Sequence, residues 1–90
     1  MKPDIKKKAA RRLKIIEGQI RGLQRMVEHE DYCVDILTQS LAVREALSGV
    51  DDLIMENHLT THVAHQMRSN EEKKAVKEVM VVYKLSKRGR

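Results

Sequence analysis

The stretch PDIKKKAARRLKIIEGQIRGLQRMVEHE, residues 3–30, decides the fold of this 90-residue chain. Its apolar side chains recur every three or four positions, which is the spacing of one face of an α-helix. Lysine and arginine fill most of the remaining positions, and Asp4 caps or complements the predicted N-terminus. The apolar stripe consists of Ile5, Ala9, Leu13, Ile16, Ile20, Leu23 and Val27.

Two further helices are predicted downstream. The second runs from Asp31, a good N-cap, to about Met67, because the apolar residues fall mainly on one side and no proline interrupts them. The third begins near Asn70, where Ser69 and Glu72 have the spacing of a capping box. The chain is therefore predicted to be all-α.

The composition predicts one small domain, residues 1–90, ending in a basic tail without clear periodicity at about 84–90. The chain has no Phe or Trp and two Tyr, so its core is aliphatic and thin, and we expect it to be completed by oligomerisation. With one cysteine, no signal peptide and no apolar run of membrane-spanning length, we expect a cytoplasmic protein without a membrane partner.

The charge is unevenly distributed along the chain. Residues 1–25 carry nine basic and two acidic side chains, residues 26–72 two basic and ten acidic, and residues 73–90 seven basic and one acidic. Such basic ends predict patches for an anionic partner, with nucleic acid first, although lysine and arginine also simply solubilise helices. Because aromatic residues are almost absent, stacking on single-stranded bases is not expected.

A second pattern concerns metal ligands. The stretch MENHLTTHVAHQ, residues 55–66, places His58 and His62 four positions apart, on one face of a helix. Cys33 lies 25 residues before His58, about 37 Å along a helix, whereas metal–ligand bonds are about 2.0–2.3 Å. Either the helix folds back at Gly49, or an antiparallel second copy brings its own Cys33 to the two histidines.

The antiparallel alternative places a two-fold axis near residues 46–47, where small side chains allow close approach. A thiolate with two imidazoles suits Cu(I) or Zn(II), and Ni(II) or Co(II) less well. The alternative interpretation, a buried cysteine and solvated histidines, stays open, and His65 is either a fourth ligand or uninvolved. The small residues near the axis are Ala42, Ala46, Ser48 and Gly49.

Together, RLKIIEGQIRGLQRMVE, YCVDIL and NHLTTH resemble the copper-sensitive operon repressor family, over roughly Arg11 to Tyr83. The resemblance implies a three-helix protein that forms an antiparallel four-helix-bundle dimer and then a homotetramer. It also implies double-stranded operator DNA as partner, bound without a helix-turn-helix and released when an effector binds. The implied metal ligands are Cys33 from one subunit and His58 and His62 from the other.

Within that family, this chain is most similar to the copper branch, with Cu(I) as effector and Ni(II), Co(II) and Zn(II) as alternatives. The copper branch usually has cysteine where this chain has His62, and the nickel/cobalt branch adds an N-terminal histidine that is absent here. Tyr32 and Glu78 match outer residues that contact the ligands. The expected function is therefore a Cu(I)-responsive repressor, not an enzyme, with a constitutive nucleoid-type DNA-binding bundle as the alternative.

The expected DNA contacts lie mainly on the first helix. Arg12 and Lys14 match the basic positions of the family best, and Arg44 on the second helix is a weaker candidate. Groove shape and phosphate contacts are expected to dominate recognition. The remaining candidates are Lys6, Lys7, Lys8, Arg11 and Arg21, with Lys87, Arg88 and Arg90 of the tail as nonspecific contacts.

Overall fold

Helices make up nearly all of the chain in the computed structural model, which describes residues 1–68 and 71–88. The described residues contain no strand, so the all-α prediction is confirmed. The second predicted helix exists, but a π-helical turn interrupts it. The elements are α1 (Pro3–Glu28), α2 (Cys33–His58), the π turn (Leu59–Val63), α3 (Ala64–Arg68) and α4 (Glu72–Arg88).

The first helix begins where proline favours a helix start. Pro3 occupies the first turn, where its fixed φ suits the helix and its missing N–H costs nothing. Lys2 is the N-cap and makes no side-chain capping bond. Asp4 lies inside the first turn, so its carboxylate complements the helix dipole and does not cap the helix.

A tight turn ends α1, and because of it α2 begins later than predicted. Glu30 has a φ of 55°, and its N–H bonds to the carbonyl of Val27 at 3.0 Å. The N–H of Asp31 bonds back to Met26 at 2.9 Å, which completes a Schellman motif. Asp31 therefore belongs to the end of α1, and the prediction that it caps α2 is wrong, because α2 begins at Cys33.

The described residues form two compact units, Met1–Glu56 and Asn57–Arg90. In the first unit, α1 and α2 pack as a helical hairpin around a narrow core. This core takes small and β-branched residues from both helices, and no large side chain is fully buried. Its members are Ala9, Ile16, Val43 and Val50, with Ala46 and Leu53 packed against them.

Helix α2 passes through Gly49 without interruption, so the alternative in which the helix folds back there is wrong. A Cβ built on Gly49 would lie 3.5 Å from the guanidinium of Arg12, and Ala46 packs against the hairpin core. These two small residues therefore serve the α1–α2 contact inside one chain. Ala42 and Ser48 are exposed, which leaves them available at a contact between copies.

The second unit consists of the π turn, α3 and α4, in which α3 contacts α4. Ala75 of α4 is buried, with 1% of its surface exposed. Helix α4 continues to Arg88, so residues 84–88 of the predicted basic tail are helical. Ser69, Asn70 and Arg90 lie outside the described residues, and of the helices described none is long and apolar enough to span a bilayer.

We predict that Glu30→Gly stabilises the protein by about 0.5–1 kcal/mol. A left-handed conformation costs a residue with a Cβ about 1–2 kcal/mol, and the flexibility of glycine in the unfolded chain offsets part of the gain. Urea unfolding measures the difference. Gln24→Gly, in the exposed interior of α1, is the control and should lose about 1 kcal/mol. Equal losses for both variants would contradict the assignment of strain to Glu30.

Candidate functional site

Two imidazoles lie side by side where α2 gives way to the π turn. His58 is the last residue of α2 and His62 lies in the π turn. Their ring centroids are 5.4 Å apart, with the planes tilted by 32°. The side chain of His58 is 27% exposed and His62 is exposed, so both rings are accessible. The structure thus brings together two of the three predicted metal ligands.

A carboxylate from α4 faces the outer nitrogen of His58. Oε2 of Glu78 lies 3.4 Å from Nε2 of His58, and the Glu78 side chain is 39% exposed. A carboxylate in this position favours the tautomer with its proton on Nε2, which leaves the lone pair of Nδ1 available to a metal. The contact expected between Glu78 and the candidate ligands is therefore present, on His58.

The hydroxyls of two adjacent threonines hold the backbone before the π turn. Oγ1 of Thr61 donates to the carbonyl of Asn57 at 2.6 Å, and Oγ1 of Thr60 donates to the same carbonyl at 3.4 Å. Neither threonine was predicted as a site residue. The adjacent threonines were the available signal, because threonine in a helix commonly bonds back to a carbonyl one turn earlier.

Cys33 lies at the other end of α2, as its first residue, with a free and exposed thiol. Tyr32 precedes it with 71% of its surface exposed. The carbonyl of Tyr32 accepts the N–H groups of Asp35 and Ile36 at 3.0 and 3.2 Å, so its backbone closes the first turn of α2. In the described part of the chain, no three His, Cys, Asp or Glu side chains converge on a metal position, so the three-residue ligand set stays a prediction.

One face of α1 is basic along most of its length. Lys7, Lys14 and Arg21 are spaced by seven residues, two helical turns, so they project from the same side. All three are exposed, whereas Ile16 is buried against α2. Arg21 also forms an ion pair with Glu17 one turn earlier.

In the part of the chain that the structure describes, the other candidate DNA contacts are exposed as well. Arg12 lies beside α2, where its side chain lines a shallow groove with Ile15 and Glu45. Arg44 projects from α2 itself. The side chains of Lys87, Arg88 and Arg90 lie outside the described residues. The exposed candidates not yet located are Lys6, Lys8 and Arg11 on α1.

A helical hairpin with a basic face, joined to a histidine pair backed by a carboxylate, has the features of a small metal-responsive DNA-binding regulator. The chain belongs to the metal-sensitive transcriptional repressor family, whose profile matches residues 5–84. This family comprises transcriptional repressors and not enzymes, so the family and non-enzyme predictions are confirmed. The partner of such a protein is DNA.

Individual relatives agree with this assignment. The copper-sensing transcriptional repressor CsoR of Bacillus subtilis strain 168 is 45% identical over 73 residues, which is 81% of this chain and 72% of the relative. The copper-sensing transcriptional repressor RicR of Mycobacterium tuberculosis is 47% identical over 51 residues, covering 57% of this chain and 53% of the relative.

The fold also matches a solved structure. The crystal structure of the copper-sensing repressor CsoR with Cu(I) from Geobacillus thermodenitrificans NG80-2 superimposes with a TM-score of 0.86 at 38% identity. The match covers 94% of this chain and 88% of that chain. The helical architecture is therefore that of a repressor, which does not favour the alternative of a constitutive nucleoid-type bundle.

Proposed function

We propose that this protein is a Cu(I)-responsive transcriptional repressor, which holds operator DNA in its metal-free form and releases it when Cu(I) binds. The observation that carries the proposal is the paired His58 and His62, with the Glu78 carboxylate at Nε2 of His58. The copper-sensing relatives support it. A repressor acts where the operator DNA is, so we place its action in the cytoplasm.

The donor chemistry of the candidate ligands fits Cu(I). Cys33 offers a sulfur ligand, the softest donor of the three. Nδ1 of His58 and a ring nitrogen of His62 supply two borderline donors. Cu(I), when bound, would join these three donors into one centre. Ni(II), Co(II) and Zn(II) suit the same set less well, because the thiolate favours the softest ion.

We propose that the centre forms between two copies of the chain. A regular helix separates positions 33 and 58 by about 37 Å, close to seven full turns, so one copy alone cannot close the site. An antiparallel second copy would bring its Cys33 to the histidines of the first. The same contact, made twice around a two-fold axis, yields two sites per dimer.

Exposed apolar side chains on α2 support the dimer. Leu37 and Leu41 are 67% and 54% exposed, although leucine is usually buried in a folded protein. Leu47 and Ile54, each 39% exposed, continue the apolar surface along α2. A second copy would cover this surface and supply the core that one hairpin lacks. A homotetramer of two such dimers is the expected final assembly.

We propose that the basic face of α1 contacts the operator. Lys7, Lys14 and Arg21 project away from the hairpin core into solvent, where phosphates could reach them. Arg12 on α1 and Arg44 on α2 add positive charge near the contact between the two helices. Regularly spaced cations along a helix suit the phosphate backbone of double-stranded DNA. Lys8 and Arg11 add further positive charge.

A direct test of the function is operator binding across a panel of metals. Fluorescence anisotropy of a labelled operator is followed while anaerobic Cu(I), Ni(II), Co(II) or Zn(II) is added. Cu(I) should lower the affinity most, by a factor between about 5 and 150, the usual range of allosteric coupling. A protein whose operator affinity is the same with every metal would be a constitutive binder and not a sensor.

The dimer contact is tested by Leu41→Asp. A carboxylate on the apolar face of α2 should split the dimer, which sedimentation equilibrium measures as a halved mass or smaller. Because the site needs two chains, tight Cu(I) binding should be lost at the same time. Leu41→Met, which keeps an apolar side chain of similar volume, is the matched control. A monomeric variant with full Cu(I) affinity would contradict the two-chain site.

The DNA surface is tested by Lys14→Ala. Loss of one phosphate contact should weaken operator binding by about five- to tenfold and reduce the salt dependence by about one counterion. Cu(I) affinity should stay the same. Lys74→Ala, an identical change at an exposed position of α4, is the control. Equal effects of the two substitutions would mean that only net charge matters and that α1 is not the DNA surface.

Coupling between metal and DNA is tested by comparing Cys33→Ala with Glu78→Ala. Cys33→Ala should abolish tight Cu(I) binding yet keep metal-free operator binding, because the only thiolate is lost. Glu78→Ala should keep most of the Cu(I) affinity but lose part of the release from DNA, since α4 no longer contacts the ligand His58. Glu72→Ala, on the same helix, is the control. Full release by the Glu78 variant would assign the coupling to another contact.

A further inference from the structure

The π turn Leu59–Val63 lies between the two histidines of the candidate site. His58 ends the regular helix before it, and His62 is its fourth residue. A π turn contains one more residue per hydrogen-bonded loop than an α turn, and such single turns occur frequently at functional sites. The angle between the two imidazoles is therefore set by the wider turn and not by ordinary α-helical geometry.

One backbone carbonyl immediately before the π turn accepts hydrogen bonds from two side-chain hydroxyls. The Asn57 carbonyl accepts the Thr61 hydroxyl at 2.6 Å and the Thr60 hydroxyl at 3.4 Å. Asn57 itself is buried, with 4% of its surface exposed. A threonine that bonds back to a carbonyl one turn earlier competes with the main-chain ladder and bends the helix. Two such bonds on one carbonyl favour a local departure from the α-helix.

A second threonine of the chain provides an internal comparison. Oγ1 of Thr38 donates to the carbonyl of Val34 at 2.7 Å, with the same four-residue spacing as Thr61 and Asn57. That bond lies within the regular helix α2 and is exposed. One hydroxyl on one carbonyl is therefore compatible with an ordinary α-helix. The distinguishing features at Thr61 are the second hydroxyl on the same carbonyl and the burial of Asn57.

We propose that Thr61 is a positioning residue for the metal site, whose hydroxyl holds the π turn through the Asn57 carbonyl and so sets the relative placement of His58 and His62. Thr60 assists through its longer bond to the same carbonyl. Thr61 does not touch the metal; it acts through the backbone that carries the two imidazoles. The role in metal binding rests on the proposed function, whereas the role in holding the π turn does not.

The π turn would preorganise the two imidazoles for binding one metal ion. Two imidazoles held 5.4 Å apart before binding need little rearrangement to serve one ion. If the turn reverted to a regular α-helix, the residues after it would rotate about the helix axis by the angle of one residue, about 100°. His62 would stay on the same helix face as His58, because positions four apart are neighbours in an α-helix, but the angle between the two rings would change. Part of the binding free energy would then be used to restore that angle.

The test uses the full-length protein and four substitutions. Thr61→Val removes the hydroxyl and keeps the branched shape, and Thr61→Ser keeps the hydroxyl and removes the methyl group. Thr60→Val removes the longer bond, and Thr38→Val removes the equivalent bond in the regular part of α2. The metal-free proteins are compared by NMR, through the His58–His62 ring contact and the backbone carbon shifts of residues 57–63. Cu(I) affinity is measured by competition with a chromogenic chelator.

Thr61→Val is expected to change the geometry of the His58–His62 ring contact, to shift the backbone carbon signals of residues 59–63 towards regular α-helical values and to lower Cu(I) affinity about tenfold. Thr61→Ser and Thr38→Val should match the wild type, and Thr60→Val should lie between. A Thr61→Val protein with wild-type shifts and affinity would overturn the proposal, as would equal losses for Thr38→Val or a Thr61→Ser protein that resembles Thr61→Val.

The role of Thr61 in holding the π turn and the function as a Cu(I) sensor can be refuted separately. A wild-type protein that binds no Cu(I) would refute the proposed function, while the NMR comparison of the metal-free proteins would still decide whether Thr61 holds the π turn. A Thr61→Val protein that keeps its π turn while the wild type senses Cu(I) normally would refute the role of Thr61 alone.

Discussion

A hairpin of two helices has more apolar surface than it can bury, and this constraint underlies the rest of the structure. Between α1 and α2 only small and β-branched side chains are enclosed, among them Ala9, Ile16 and Val43. Leu37 and Leu41 remain mostly exposed on α2. Burial of apolar side chains is the main stabilising contribution in a domain of this size. The exposed apolar surface therefore fits the proposed dimer, in which two copies share each metal site.

The packing of α1 against α2 also explains why the proposed DNA-binding residues and the candidate metal ligands lie in different parts of the chain. The side of α1 that faces away from the hairpin core is free to carry Lys7, Lys14 and Arg21, because it contributes nothing to that core. The candidate ligands lie elsewhere, at the two ends of α2. The positions proposed to bind DNA and those proposed to bind metal are then separate, so metal binding could affect DNA binding only through the packing of helices. This separation is what allosteric regulation requires, since each ligand must act on a shared conformational equilibrium.

Much of the candidate site was predictable from the sequence, though in different ways for different residues. The spacing of His58 and His62 places them on one helix face without knowledge of any tertiary contact. Glu78 was expected there only from the resemblance to the family, because 20 residues separate it from His58 and no local rule connects them. The α1 stripe predicted Ile5, Ala9 and Ile16 as core residues, and all three are buried. Exposed Leu13 and Ile20 belong to the same stripe, and one chain does not provide enough surface to cover them.

The sequence by itself determined which segments are helical, because amphipathic periodicity, proline position and charge act over a few neighbouring residues. It did not determine where α2 begins. At the turn around Glu30, hydrogen bonds between backbone groups make Asp31 part of the end of α1, and no side-chain pattern predicts those bonds. Nor did it determine that the helix after His58 widens into a π turn, or that Glu78 meets Nε2 of His58. Those features depend on the competition among hydrogen-bond partners and on the packing of α4. Only the tertiary structure decides between the local alternatives that the sequence permits.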